Sequence, residues 1–305
     1  MKSLMPIFDK PKAIRILWAC AAIAVCGCAP IHGDISRGTF QADRAFEDLE
    51  RQVRFGPRIP GSPGHAKTIE WLQGRLVEAG WQVERQSFEH EGVALTNLIA
   101  THADNAVGTP LILGAHFDTR PIAERDPIDP EQPVPGANDG ASGVAVLLEL
   151  ARVLDLDRID VPVWLVFFDA EDSGGLEGWD WALGSRFFLE SLAFPVQAAV
   201  IIDMVGDHEL ELYFEGNSSP DLRSDIWETG MALGFPGFIP EVRHFILDDH
   251  TPFLQKGIPA VDIIDFDYPY WHTSQDDLER VSAESLEQVG RTLEAWLESL
   301  PPDAP

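Results

Sequence analysis

The chain has 305 residues, 45% of them apolar, and a formal net charge of −28. That length holds one large α/β domain or two ordinary ones with a sizeable core, and no apolar run in the body approaches the roughly 18–20 residues of a membrane span. So acidic a balance repels nucleic acid and anionic lipid, which excludes both as ligands.

At the N-terminus, Lys2, Lys10, Lys12 and Arg15 precede an apolar stretch, Ile16 to Val25, which meets Cys26-Gly27-Cys28-Ala29. A basic region, a short apolar region and a small residue before the break describe an export signal over residues 1–28. Val25-Cys26-Gly27-Cys28 resembles the bacterial lipobox, with Cys28 as the lipidated residue. That predicts a cell-envelope lipoprotein whose only membrane contact is its lipid anchor; soluble export to the periplasm or medium and an uncleaved anchor are the alternatives. Cys20, Cys26 and Cys28 are the only cysteines, so the mature part carries no disulfide and no thiolate ligand. Leaving out the four basic residues and one acidic residue of positions 1–27 brings the net charge to −31. This is a solubilising surface that also suits cationic groups such as peptide N-termini.

Residues 29–38 read as a tether to one domain over 39–302. Helical spacing recurs over Gln41–Val53 and His65–Ala79, separated by the Gly/Pro-rich connection 55–64. Trp81–Phe88 and Val93–Thr101 read as paired antiparallel strands. An α/β rhythm follows. Strands are predicted over Pro110–Ala115, Val161–Phe168, Ala198–Ile202, Glu209–Glu215 and Ile258–Ile264. Helices are predicted over Ala141–Leu154, Trp181–Leu192, Asp221–Leu233 and Ser282–Leu300, with a short one from Thr251-Pro252 to Gly257. The implied fold class is α/β: a single domain with a central mixed, mostly parallel β-sheet flanked by helices on both faces.

Chemistry-bearing residues stand at the ends of these apolar runs, where open α/β sheets gather their ligands. His116, Glu171, Asp172 and Asp203 each follow a strand. Asp139 precedes a helix in Gly-Ala-Asn-Asp139-Gly-Ala-Ser-Gly, and His272 follows the last strand in Trp271-His272-Thr. Singly, each has a structural explanation: Asp139 as a helix cap, His116 as a core histidine, Asp203 as a turn residue, Glu171-Asp172 as a solvated pair, Trp271-His272 as a loop plug. Together they form a donor set suited to zinc, with a spare carboxylate for proton transfer. The remaining histidines, His65 among them, read as surface or turn residues, while His250 is placed to orient a carboxylate. Gly-Ala-Ser142-Gly lacks a serine-hydrolase elbow, and an intact donor set argues against a silent binding module on an enzyme fold.

The pattern His-x-Asp, Gly-Ala-x-Asp-x-Ala-Ser-Gly, Phe-Phe-x-x-Glu-Asp, Ile-Asp-Met and a late His-Thr resembles the zinc aminopeptidase (peptidase M28-like) superfamily. Gly56-Pro-Arg-Ile-Pro-Gly-Ser-Pro, Asp248-Asp249-His250-Thr-Pro-Phe-Leu and Tyr268-Pro-Tyr-Trp271-His272-Thr make it most similar to the glutaminyl-peptide cyclotransferases within that group. The resemblance implies one zinc bound by Asp139, Asp172 and His272, with Asp172 standing where many relatives carry Glu. It further implies Glu171 as general acid/base, Asp203 and Asp248 as a hydrogen-bonded carboxylate pair beside it, and an apolar substrate pocket. Trp271, Trp179 or Trp181, and Tyr268 would line that pocket. A monomer acting on peptide or protein N-termini follows. The competing reading is a two-zinc aminopeptidase, in which His116 and Asp203 bind a second metal and Asp139 bridges.

Overall fold

The computed structural model describes residues 39–103 and 108–301. The export segment with Cys28 and the tether fall outside the described residues.

Short, fully buried apolar runs make the centre of the fold. Strands β1 (Gln82–His90), β2 (Val93–Thr101), β3 (Leu111–His116), β4 (Val163–Phe168), β5 (Ala198–Asp203) and β8 (Ala260–Ile264) form one sheet in the order β1-β2-β4-β3-β5-β8. The β1–β2 and β2–β4 pairs are antiparallel; β4–β3, β3–β5 and β5–β8 are parallel. Side chains alternate between the faces, as a pleated strand requires. Leu111, Leu113, Leu165, Phe167, Val200 and Ile202 join one core, and Ile112, Val166, Phe168 and Ile201 join the other. Gly114 is needed on the second face, since a Cβ there would lie 2.6 Å from the Phe168 ring.

Helices α1 (Ala42–Val53), α3 (Ala141–Val153) and α7 (Ala283–Ser299) pack on one another and cover the larger core, with α2 (Pro63–Glu78) beside β1 and β2. Ser62 caps α2 and Ser282 caps α7, each hydroxyl accepting from the backbone N–H three residues on, which satisfies an otherwise orphaned donor. Helices α4 (Leu183–Ser191) and α6 (Thr251–Gln255) contribute Phe188, Leu189 and Phe253 to the opposite face. The predicted mixed, mostly parallel sheet with helices on both faces is the fold observed.

Two strands lie outside that sheet. The predicted 209–215 strand shortens to β6 (Leu212–Glu215), which pairs in parallel with β7 (Phe238–His244). Helix α5 (Pro220–Ala232) packs on this ribbon through Trp227, whose ring contacts Phe214 and Phe238. β7 went unread in the sequence because its residues are mostly exposed and Pro240 interrupts it. No helix of the described residues is long and apolar enough to cross a membrane.

Candidate metal centre

The C-terminal ends of the parallel strands converge on one buried acidic pocket. His116 ends β3, Asp203 ends β5, and Glu171 and Asp172 follow β4 after Asp169-Ala170. Asp139 stands just before α3, and His272 on the segment after β8. His272 has positive φ, as do Ala170 and Met204 next to Glu171 and Asp203, a conformation uncommon outside glycine. Gly140 admits the His116 ring, which would lie 2.6 Å from a Cβ added there.

Two donor groups share Asp139. In the first, Asp139, Asp172 and His272 offer ligand atoms within 4.8 Å of one another; in the second, His116, Asp139 and Asp203 do the same. All five residues are buried. His272 Nε2 lies 3.1 Å from Asp172 Oδ1, and His116 Nε2 lies 3.0 Å from Asp139 Oδ1 and 3.1 Å from Asp203 Oδ1. Asp172 Oδ2 is buried without a hydrogen-bond partner, a position costly for a carboxylate oxygen unless a cation faces it. Carboxylates with imidazole nitrogens at this spacing fit zinc.

Electrostatics divide the carboxylates. Burial, reinforced by the charge of Asp248, pushes Glu171 well above the usual carboxylate range. Burial lifts Asp203 to about 7, with His116 pulling the other way and Asp139 and Asp248 adding to the rise. Asp139 is held low despite its burial, by its hydrogen bond to His116 and the charge of His116 and His272. The site therefore holds Asp139 kept ionised among carboxylates inclined to keep a proton: Glu171, Asp203 and Asp172, which burial lifts to about 6.

The pocket, about 210 Å³, is lined by Glu171, Asp172, Asp203 and Asp248 below and by Trp181, Ile246, Phe266 and Trp271 at its walls. Trp181 stacks on His272 with rings 9° from parallel. It lies flat across Gly174, where any Cβ would be 2.1 Å from the indole. Of the alternatives Trp179 and Trp181, Trp181 is the one that lines the pocket, while Trp179 and the expected Tyr268 stand elsewhere. Trp179 packs edge-on against His90. Tyr268 is buried, its hydroxyl donating to Asp276 Oδ1 at 2.8 Å, and Phe266 takes the wall position on this loop. A larger groove of about 790 Å³, lined by Asp207, Glu211, Asp265 and Tyr270, brings together no histidine–carboxylate set of this kind among the described residues.

The scaffold behind the pocket was largely invisible in the sequence. Asp118 accepts the backbone N–H groups of Glu171 and Asp172 at 3.0 and 3.2 Å; its place in His-x-Asp was the one available signal. Asp276 accepts those of Asn138 and Asp139 at 2.8 and 3.2 Å. Arg58, fully buried, donates to the carbonyls of Phe117, Pro135 and Gly136. Burial lowers its pKa to about 10 against the charges of Asp276, Asp118 and Asp139. His65 is no surface residue: it is buried with Nε2 2.8 Å from Asp169 Oδ1 and its ring stacked on Phe117. His250 is fully buried, with Nε2 3.3 Å from Glu215 and Nδ1 3.4 Å from Asp262.

Peptidase family M28 matches residues 97–297 of the chain. The glutaminyl-peptide cyclotransferase of Gloydius blomhoffii is 25% identical over 287 aligned residues, covering 79% of this chain and 76% of that protein. Among solved structures, a Bacteroides thetaiotaomicron glutaminyl cyclase bound to N-acetylhistamine is 30% identical with a TM-score of 0.80, covering 86% of this chain and 99% of its own. A leucine aminopeptidase precursor from the same organism has the same identity and TM-score, covering 86% and 98%.

Proposed function

The chain belongs to peptidase family M28, and from that premise we propose that it is a glutaminyl-peptide cyclotransferase, converting N-terminal glutaminyl residues to pyroglutamate with release of ammonia. The observation that carries this reading is the adjacency of Asp172, a member of the donor set, to Glu171, a buried carboxylate inclined to hold a proton. Both face a small aromatic-walled pocket.

A zinc ion held by Asp139, Asp172 and His272 would supply Lewis-acid polarisation of the glutamine side-chain carbonyl. The aromatic walls of Trp181, Phe266 and Trp271 orient the side chain and exclude water. With the free α-amine close to the amide carbon, the reaction is intramolecular, and positioning supplies much of its rate. Glu171 accepts a proton from the attacking amine as the new N–C bond forms. It then returns that proton to the departing amide nitrogen, which leaves as ammonia as the old C–N bond breaks. Asp248 sustains this role by keeping negative charge close to Glu171, which raises its proton affinity, with Asp203 beside them in the same pocket. Export and attachment through a lipid on Cys28 would place the reaction at the bacterial cell envelope.

The second donor group, His116, Asp139 and Asp203, favours one other reading: a two-zinc aminopeptidase. Against it stands the small, aromatic-walled pocket of about 210 Å³, which suits a single amide side chain. Glu171→Gln tests the cyclotransferase reading. The variant should bind one equivalent of zinc like the parent and lose at least a hundredfold in turnover; near-parental turnover removes Glu171 from the mechanism, and two equivalents of zinc favour the aminopeptidase.

A further inference from the structure

His272 is held in a left-handed backbone conformation, φ +57°, which costs a non-glycine residue free energy and persists only where its surroundings impose it. The segment that follows β3 provides those surroundings. Glu124 Oε1 accepts from His272 Nδ1 at 2.8 Å. Arg120 Nε donates to both oxygens of Glu124 at 2.7 Å, while its Nη1 donates to the carbonyls of Asp172 and Gly174 at 3.0 Å. The same guanidinium lies 5.3 Å from the centre of the Trp181 ring. One residue along, the Arg125 N–H donates to the His272 carbonyl at 3.2 Å and its guanidinium lies 4.0 Å from the centre of the Trp271 ring. Asp126, by contrast, is bonded to Ser274, whose N–H it accepts at 3.0 Å, and so fastens the loop beyond His272 and not its ring.

We infer that Glu124, anchored by Arg120, is a positioning residue that fixes the ring plane and tautomer of His272 and so sets the affinity of the site for its metal. The inference rests on the zinc reading above. With Nδ1–H committed to Glu124, the lone pair of the neutral ring falls on Nε2, the atom that faces Asp172. A carboxylate behind a ligating imidazole also makes it a stronger base towards the metal. Arg120 ties this arrangement to the opposite ligand through the Asp172 carbonyl and to the pocket wall through Trp181. A single salt bridge therefore couples two ligands and one wall.

Zinc affinity, measured on the purified protein by competition with a chromophoric chelator, separates positioning from general support of the loop. Glu124→Gln keeps an acceptor but loses the charge, and Glu124→Ala loses both. Zinc binding should weaken about 10–100-fold across the two, with Ala at the weaker end. Asp126→Asn loosens the same segment without touching His272; it should lower the melting temperature of the metal-free protein while leaving zinc affinity within about twofold. Parental affinity in both Glu124 variants overturns the inference. So does an equal loss in Asp126→Asn, which would make rigidity of the segment the whole effect. A parent protein that binds no zinc would overturn both this inference and the cyclotransferase reading, a result distinct from either.

Discussion

In the proposed mechanism Glu171 and Asp172, neighbours in the chain, have opposite tasks, and their surroundings set the difference. Asp172 points at His272 and leaves one oxygen without a protein partner. Glu171 sits where burial and the Asp248 charge favour the protonated form. A proton acceptor works only when ionised, so turnover should fall as pH drops through the Glu171 pKa. Removing the charge in Asp248→Asn lowers that pKa, so the acid limb should move to lower pH. The limb must be read in kcat, because the free substrate amine, with a pKa of about 7.7–8, titrates in kcat/KM. An unmoved or raised limb in Asp248→Asn would show that Asp248 does not tune Glu171.

At the scale of elements, the strands of the main sheet deliver four of the site residues at or just beyond their ends, while Asp248 arrives separately, four residues after β7. The β6–β7 ribbon is held by Trp227, fully buried, with Nε1 donating to the Leu212 carbonyl at 2.9 Å. Trp227→Ala should cost about 3–5 kcal/mol in denaturant unfolding. It should also reduce turnover more than zinc affinity, because Asp139, Asp172 and His272 are supported by other elements. Equal losses in both would mean that the ribbon supports the ligand set as well. The buried strands were legible because continuous apolar runs ending in His116, Asp169 and Asp203 have few alternatives. β7 was not, because an exposed strand carrying Pro240 leaves no periodic trace.

Across the whole molecule, the candidate donor residues could be picked out in the sequence because most of them close an apolar run or open a helix, and the fold brings such ends to one edge. Their supports could not. Glu124 is 148 residues from His272, His65 is 104 from Asp169, and Arg58 reaches carbonyls 59 to 78 residues away; no periodicity encodes those pairings. Trp179 and Trp181 are indistinguishable by spacing, and only the close approach of Trp181 to Gly174 and its stacking on His272 separate them. The same candidate donors would serve cyclisation or hydrolysis, so the product decides between them. Mass spectrometry of the zinc-loaded protein incubated with a Gln-initiated and a Leu-initiated peptide tests this directly. Loss of ammonia from the Gln peptide with the Leu peptide intact is the expected result; release of the first residue of either peptide as a free amino acid would contradict it.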